Sequence, residues 1–180
     1  MKGYTLDKLA KELEIMSKLK SNFVVQYVNS WSEQKDIVYI QMEFCGYNLK
    51  HILDIKRIAF GRQESIKPSD IDYFISYSIL NELLLCVQYL HSSHPSIIHR
   101  DLKPENILIK QTEQGDICLK LCDFGLSTFQ DYSRMPHTQG PGTLKYIAPE
   151  VSNGRLYDTR ADVYSLAIII QDLIHIDINE

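Results

Sequence analysis

Along residues 5–20, Leu6, Leu9, Leu13, Met16 and Leu19 recur every three to four positions with Lys and Glu between them, a period that predicts an amphipathic helix. The runs 23–28 (FVVQYV) and 37–44 (IVYIQMEF) read as strands, divided by the turn-forming Glu33-Gln34-Lys35-Asp36. Cys45-Gly46-Tyr47-Asn48 makes a connector, and a short helix starts at Leu49 and reaches Leu53. The charged stretch 54–68, closed by Pro68, reads as a surface loop. Ser69 stands where it can cap the next helix, with Asp70 and Asp72 in the first turn, where negative charge suits the helix dipole. That helix should extend to about His91 and bury a face of Ile71, Ile75, Ile79, Leu83, Val87 and Leu90, widened by Leu80 and Leu84.

Farther on, Ser96–Ile98, Ile107–Lys110 and Ile117–Leu121 read as strands, the last two joined by the hairpin turn Glu113-Gln114-Gly115-Asp116. Residues 127–147 carry Ser, Thr, Pro and Gly without periodicity and predict a long loop, a feature that inside a compact domain is usually functional. A buried helix is expected from about Thr159 to Ile174. There is no internal repeat and no linker, so the chain reads as one block.

Composition narrows the function classes. With 180 residues, 44% hydrophobic and 23% charged, the chain can bury a core and does not resemble a disordered segment. A net charge of −4 offers no basic footprint for nucleic acid. The most apolar stretch, Val163 to Ile176, is interrupted by Ser165, Gln171, Asp172 and His175, too short and too polar for a membrane span. Met1-Lys2-Gly3-Tyr4 lacks the apolar run of a signal peptide, and Cys45, Cys86, Cys118 and Cys122 form no C-x-x-C pair. Reduced thiols and a cytoplasmic location are the expectation.

Three short motifs carry the chemistry: His99-Arg100-Asp101-Leu102-Lys103-Pro104-Glu105-Asn106, then Asp123-Phe124-Gly125, then Ala148-Pro149-Glu150. In this order they resemble the signature of the eukaryotic protein kinase superfamily, and the resemblance covers essentially the whole chain. It implies an α+β, bilobal fold. Residues 1–45 would be a partial N-lobe (helix C and strands 4–5) with the hinge, and residues 46–180 the first part of the helical C-lobe, through the buried helix F. Phosphoryl transfer from ATP needs positioning and charge cancellation more than covalent help. The resemblance assigns Asp101 to orient the acceptor hydroxyl and take its proton. Lys103 would neutralise the transferred group, and Asn106 and Asp123 would hold Mg²⁺ through hard oxygen ligands. Asn106 leads into one strand and Asp123 leaves the other, so a hairpin would hold both metal ligands rigidly.

Carried over further, Glu12 takes the place of the glutamate that pairs with the ATP-holding lysine. Met42 is the gatekeeper, Glu43 to Cys45 form the hinge whose backbone would bond adenine, and Leu108 lies beneath the adenine ring. Met16, His99 and Phe124 resemble a stacked regulatory spine, with Asp162 anchoring His99. Lys103 in Asp101-Leu102-Lys103-Pro104-Glu105-Asn106 and the segment Gly142-Thr143-x-x-Tyr146-x-Ala148-Pro149-Glu150 have the serine/threonine form, in which the Thr143 hydroxyl would bond near Asp101 and Lys103. Arg100 before the base is typical of kinases switched by a phosphate in the 127–147 loop, which a guanidinium can bind in a bidentate manner. Thr138 is the first candidate acceptor, with Ser133 and Thr143 behind it.

Ile40-Gln41-Met42-Glu43-Phe44-Cys45, Trp31, and Thr138 upstream of Gly142-Thr143-Leu144-Lys145-Tyr146 resemble the kinases of the alpha subunit of translation initiation factor two, among them the double-stranded-RNA-activated kinase. This implies a protein substrate with a Ser or Thr hydroxyl, that alpha subunit in particular, and a dimer formed through the N-lobe. No nucleic acid or membrane would bind this segment. Glu105 departs from that family, which tends to carry a small residue there.

No Gly-x-Gly-x-x-Gly occurs in the sequence, and Lys2, ten residues before Glu12, lacks the apolar strand that would precede an ATP-holding lysine. The arginine that normally pairs with Glu150 would lie beyond Glu180. The expectation is a truncated domain that alone binds ATP poorly and has low activity. The rival reading is a catalytically silent kinase-like binding or scaffold module. A metabolic phosphotransferase of related fold is a more remote one, opposed by Ala148-Pro149-Glu150 and the long loop.

Overall fold

A computed structural model describes residues 6–34, 37–60, 69–112, 114–115, 117–129 and 144–174. The chain opens with α1 (Leu6–Lys18), then β1 (Tyr27–Gln34) and β2 (Ile37–Met42), which form an antiparallel pair. Next come β3 (Tyr47–Asn48), α2 (Leu49–Ala59), α3 (Asp70–His91) and β4 (Ile97–Ile98). A 3₁₀ turn at Pro104–Asn106 enters β5 (Ile107–Gln111), which pairs with β6 (Ile117–Leu121). Then follow β7 (Thr128–Phe129), a 3₁₀ turn at Leu144–Tyr146, α4 (Pro149–Ser152) and α5 (Arg160–Ile174).

The first strand differs from expectation. Phe23 to Gln26 are not strand, and β1 begins at Tyr27. Val24 and Val25 are buried because they attach to β6: Val25 N donates to Leu121 O at 2.9 Å and Leu121 N to Phe23 O at 2.9 Å. The apolar run therefore marked burial, whereas the polar strand 27–34 is held by its ladder to β2, with Tyr27 packed against the core. Trp31 faces Tyr39 across that ladder, with their rings stacked at 5.5 Å. Of the expected connector, Tyr47 and Asn48 pair with Ile109 and Leu108 as β3.

Helix α2 does not stop at Leu53; it runs through Ala59, correcting the loop expected from residue 54. Asn48 caps it, its side chain accepting from His51 N while the His51 ring returns to Asn48 N, which satisfies two otherwise orphaned groups. Lys50 and Asp54 pair on the outer face at 2.8 Å, and Lys56 turns inward. Its ammonium meets Asp72 Oδ1 at 2.8 Å and donates to Ser76 Oγ and to Leu173 O at 3.0 Å, joining α2, α3 and the end of α5. Residues 61–68 lie outside the described residues.

Helix α3 starts as its cap predicts, Ser69 Oγ accepting from Asp72 N at 3.2 Å. Leu83, Val87 and Leu90 are buried as expected, but the first turns bury a different face. Asp72, Ser76, Leu83, Cys86, Val87 and Leu90 are buried, whereas Ile71 is 65% and Leu84 46% exposed. The Lys56–Asp72 pair accounts for the first turns, because a polar contact takes the inward position that Ile71 was expected to fill. Below, α5 buries Leu166, Ile169 and Leu173, and one core runs from Ile15 and Met16 of α1 through Leu121 and Phe124 to Ile169. A smaller cluster joins Ile98, Ala148, Tyr157 and Ala161. Among the described residues, no helix is long and apolar enough to cross a membrane.

Candidate active site

The loop between β4 and β5 folds back on itself through polar contacts. Asn106 N donates to Lys103 O at 2.9 Å, closing the 3₁₀ turn. Asn106 Nδ2 donates to both Asp101 O and Asp101 Oδ2 at 2.9 Å, and Lys103 Nζ reaches Asp101 Oδ2 at 2.7 Å. Asp101 and Asn106 are buried and Lys103 is half-buried, so the carboxylate is held by one cation and one amide out of bulk water. Charge-assisted bonds of this kind are short and strong.

The β5–β6 hairpin brings the second motif, Asp123-Phe124-Gly125, alongside. Its register sets Ile107 opposite Leu121, and Cys122 N then donates to Asn106 O at 3.0 Å. Asp123 is exposed, with a left-handed φ of 63°, and its Oδ1 accepts from Gly125 N at 3.3 Å. Asn106 commits its amide nitrogen to Asp101, which leaves Oδ1 as the atom for a ligand. An amide oxygen and a carboxylate are the hard donors that Mg²⁺ takes, so the residues present fit such an ion. Asn106 and Asp123 would hold such an ion, which would supply charge neutralisation for phosphate groups.

The loop is suspended from α5. Asp162, fully buried, accepts from His99 N at 2.9 Å, Arg100 N at 2.8 Å and the His91 ring at 2.8 Å. This holds Arg100 at φ 69°, a conformation costly for a side chain of its size. The His99 ring bonds Cys122 O at 3.0 Å and lies 5.1 Å from the Phe124 ring, and Met16 belongs to the same core. Helix α5 also holds the segment before Ala148: Ser165 Oγ donates to Tyr146 O at 2.7 Å, and Asp172 receives Tyr146 OH at 2.8 Å and Lys145 Nζ at 2.5 Å. Burial, reinforced by the bond to Asp172, raises the Tyr146 hydroxyl pKa.

Arg100 donates from Nη1 to Tyr157 OH at 2.7 Å with its guanidinium 5.4 Å from that ring, and its buried Nε has no partner among the described residues. Burial pushes the Tyr157 hydroxyl up to about 12. Lys11 of α1 donates to Thr128 Oγ1 at 2.9 Å, and its pKa is lowered first by burial and then by the charge of Arg100. Lys11 therefore adds a second cation near Arg100, a role that its place beside Glu12 in the sequence does not reveal.

At the expected hinge, Met42 is exposed and pairs with Tyr27, and Glu43 N donates to Gln26 O at 3.0 Å. The Glu43 carboxylate receives Gln26 N and Lys120 Nζ, each at 2.8 Å, and Lys110 Nζ. Burial alone would raise its pKa, but the bonds from Lys110, Lys120 and Gln26 outweigh that and hold it below the usual value. The Glu43 side chain is thus taken up in anchoring, leaving only the backbone of this residue for a base. Lys110 and Lys120 were not singled out from the sequence; their alternation opposite each other's strand was the available signal. Cys45 and Leu108 are half-buried, with Leu108 opposite Asn48 and Lys120. Glu12 is half-buried on α1. Lys2, Ser133, Thr138, Gly142 and Thr143 lie outside the described residues.

A family model described as the protein kinase domain matches residues 2–177. The serine/threonine-protein kinase dst2 of Dictyostelium discoideum is 38% identical over 173 residues, which cover 94% of this chain and 14% of that protein. The serine/threonine-protein kinase cst-1 of Caenorhabditis elegans is 35% identical over 163 residues, covering 91% of this chain and 29% of that protein. The chain thus spans less than a third of the curated relatives it matches. A chain in the crystal structure of the yeast RNA Pol II CTD kinase CTDK-1 complex superposes with a TM-score of 0.72 at 26% identity, over 97% of this chain and 51% of that one. The relatives are diverse serine/threonine kinases. The clasp around Asp101, the hairpin beside it and this family match lead to one conclusion: the chain belongs to the protein kinase domain family and has its mixed α/β fold.

Proposed function

We propose that this chain supplies the acid–base and metal-holding side of a protein serine/threonine kinase site, in which the ATP γ-phosphate passes to a Ser or Thr hydroxyl of a protein. One observation carries the reading: Lys103 and Asn106 clasp Asp101 Oδ2 at 2.7 and 2.9 Å, beside the hairpin that leads to Asp123. Asp101 then takes the hydroxyl proton, Lys103 offsets charge on the transferred group, and Asn106 and Asp123 hold Mg²⁺. The backbone of Glu43 to Cys45, with Met42 and Leu108, receives adenine, and Glu12 faces the ATP-holding lysine. In this reading residues 1–45 form the N-lobe part and hinge, residues 46–180 the C-lobe part, and the protein is cytoplasmic. A phosphate on Thr138, with Thr143 and Ser133 as further acceptors, docks on Arg100, with Lys11 as the second cation.

The sequence contains no glycine-rich phosphate loop, and the chain spans 51% of the solved kinase chain, which supports a need for further segments in full turnover. The initiation-factor-two alpha subunit is the substrate proposed from the Ile40–Cys45 hinge and Trp31, and a dimer through the N-lobe belongs to the same reading.

The test joins residues 1–180 to the upstream coding sequence of its own transcript and measures transfer of labelled phosphate from Mg-ATP to a serine peptide and to the recombinant alpha subunit. Transfer that Asp101→Asn abolishes supports the proposal. Transfer indifferent to Asp101→Asn refutes it. Residues 1–180 alone should transfer little, and robust turnover by them would overturn the need for further segments.

A further inference from the structure

Gln26 and Glu43 carry the β1–β2 pairing one step beyond Tyr27 and Met42. In an antiparallel ladder, opposite residues of a hydrogen-bonded pair bond twice, each amide donating to the other's carbonyl. Here only one of the two bonds has the ordinary form: Glu43 N donates to Gln26 O at 3.0 Å. The return bond from Gln26 N goes to the Glu43 side chain, at 2.8 Å to Oε1. The carboxylate of Glu43 has taken the place of its own carbonyl.

Two lysines of the β5–β6 hairpin hold that substitution. Lys120, 3% exposed, reaches the same Oε1 at 2.8 Å and donates to Val24 O at 3.4 Å, while Lys110 pairs with Oε2. Gln26 is fixed from behind, its Nε2 donating to Ser21 O at 2.7 Å. An amide offered a carboxylate and a neutral carbonyl favours the carboxylate, because charge-assisted bonds are the stronger. With Gln26 N so occupied, the Glu43 carbonyl has no donor among the described residues, although a regular ladder would fix it on that amide.

We propose that the Glu43 carboxylate is a positioning residue that sets nucleobase specificity: by occupying Gln26 N, it releases the Glu43 carbonyl to accept from the exocyclic amine of adenine. The inference rests on the reading that adenine docks on the Glu43–Cys45 backbone, and it assigns the choice of base to a side chain that does not touch the base. A purine with hydrogen in place of the amine leaves the carbonyl unpaired, and one with oxygen there sets a second acceptor against it. Without the carboxylate, Gln26 N turns to the carbonyl, the ladder becomes regular, and the preference for an amine-bearing base is lost.

The test is isothermal titration of the full-length protein, expressed from its own transcript, with Mg-ATP and with purine riboside triphosphate, in which hydrogen replaces the exocyclic amine. The parent should prefer ATP about fivefold, the effect of one neutral hydrogen bond. Glu43→Leu combined with Lys120→Met, which leaves no buried cation unpaired, should erase that preference. Glu43→Gln should keep it, because the amide oxygen still accepts from Gln26 N. A side chain that only supported the fold would weaken both nucleotides alike and leave their ratio unchanged. Glu43→Met with Lys120→Met replaces the leucine variant if that fails to fold, and thermal unfolding of each protein checks this. Equal affinities in the parent, or no binding of either nucleotide, would overturn the reading of adenine on this backbone and the inference with it. A parent that discriminates, beside a folded double variant that discriminates equally or a Glu43→Gln that does not discriminate, would overturn the inference alone.

Discussion

Asp162 accepts the backbone N–H groups of His99 and Arg100 at 2.9 and 2.8 Å, so the loop carrying Asp101 hangs from a buried carboxylate on α5. Two fixed N–H bonds and the His91 ring together set its position, and Arg100 takes up the left-handed backbone that results. Asp162→Ala leaves all three of these groups without their acceptor at once. Hydrogen bonds to a charged group contribute about 1.5–3 kcal/mol each net of exchange with water, so the loss of stability from three should be about 4 kcal/mol or more. Equilibrium urea unfolding of the variant beside the parent chain measures it, and a change under about 1 kcal/mol would contradict the account.

Lys56→Met should be more damaging than a helix surface change. It leaves Asp72 buried without its cation, and breaking such a pair costs about 3–5 kcal/mol. Lys56→Met combined with Asp72→Leu should recover much of the loss, because two apolar groups need no partner. Thermal and urea unfolding of both single variants and of the double variant test this, and equal stability of Lys56→Met and the parent would refute it.

Glu43 makes stability depend on pH. Its carboxyl is held below the usual glutamate value by Lys110, Lys120 and Gln26 against the opposing effect of burial. A depressed folded-state pKa contributes stability that is present above the unfolded value and lost as pH falls through the folded one. Glu43→Gln should therefore be less stable than the parent at pH 7, and the gap should narrow below pH 4.5. Urea midpoints for both proteins across that range decide it; a gap that widens in acid would give the wrong sign.

Cys86 and Cys122 should resist alkylation. Burial first, then nearby carboxylates (Glu82 for Cys86, Asp123 for Cys122), pushes each thiol up to about 12. Since the thiolate is the nucleophile, at pH 8 both should react far more slowly than an ordinary cysteine, and denaturation should restore the rate. Peptide mass spectrometry after brief iodoacetamide treatment, with and without urea, reads this directly. Rapid labelling of Cys122 in the native chain would contradict it.

Where the sequence was legible, one local rule was enough. Ser69 with Asp70 and Asp72 located the start of α3, and the two runs around the Gly115 turn located β5 and β6. The motif residues Asp101, Lys103 and Asn106 are close in sequence, so their proximity needed only a turn. What was missed depended on distant partners. Lys56 looks like a surface charge until Asp72 is known to reach it, and α2 was ended too soon for that reason. The strand 27–34 carries few apolar residues because, beyond Tyr27, it is held by its ladder partner β2. Glu43 and Lys120 lie far apart in the chain, and no local pattern announces that they meet.

Asp162, Ser165 and Asp172 share one helix, so α5 fixes both the loop bearing Asp101 and the stretch that leads into Ala148. A small translation of that helix would carry both segments the same way and change their mutual spacing little. The arrangement behaves as a common datum: movement of α5 as a whole is tolerated, whereas a lesion that frees one segment and not the other disturbs their alignment directly.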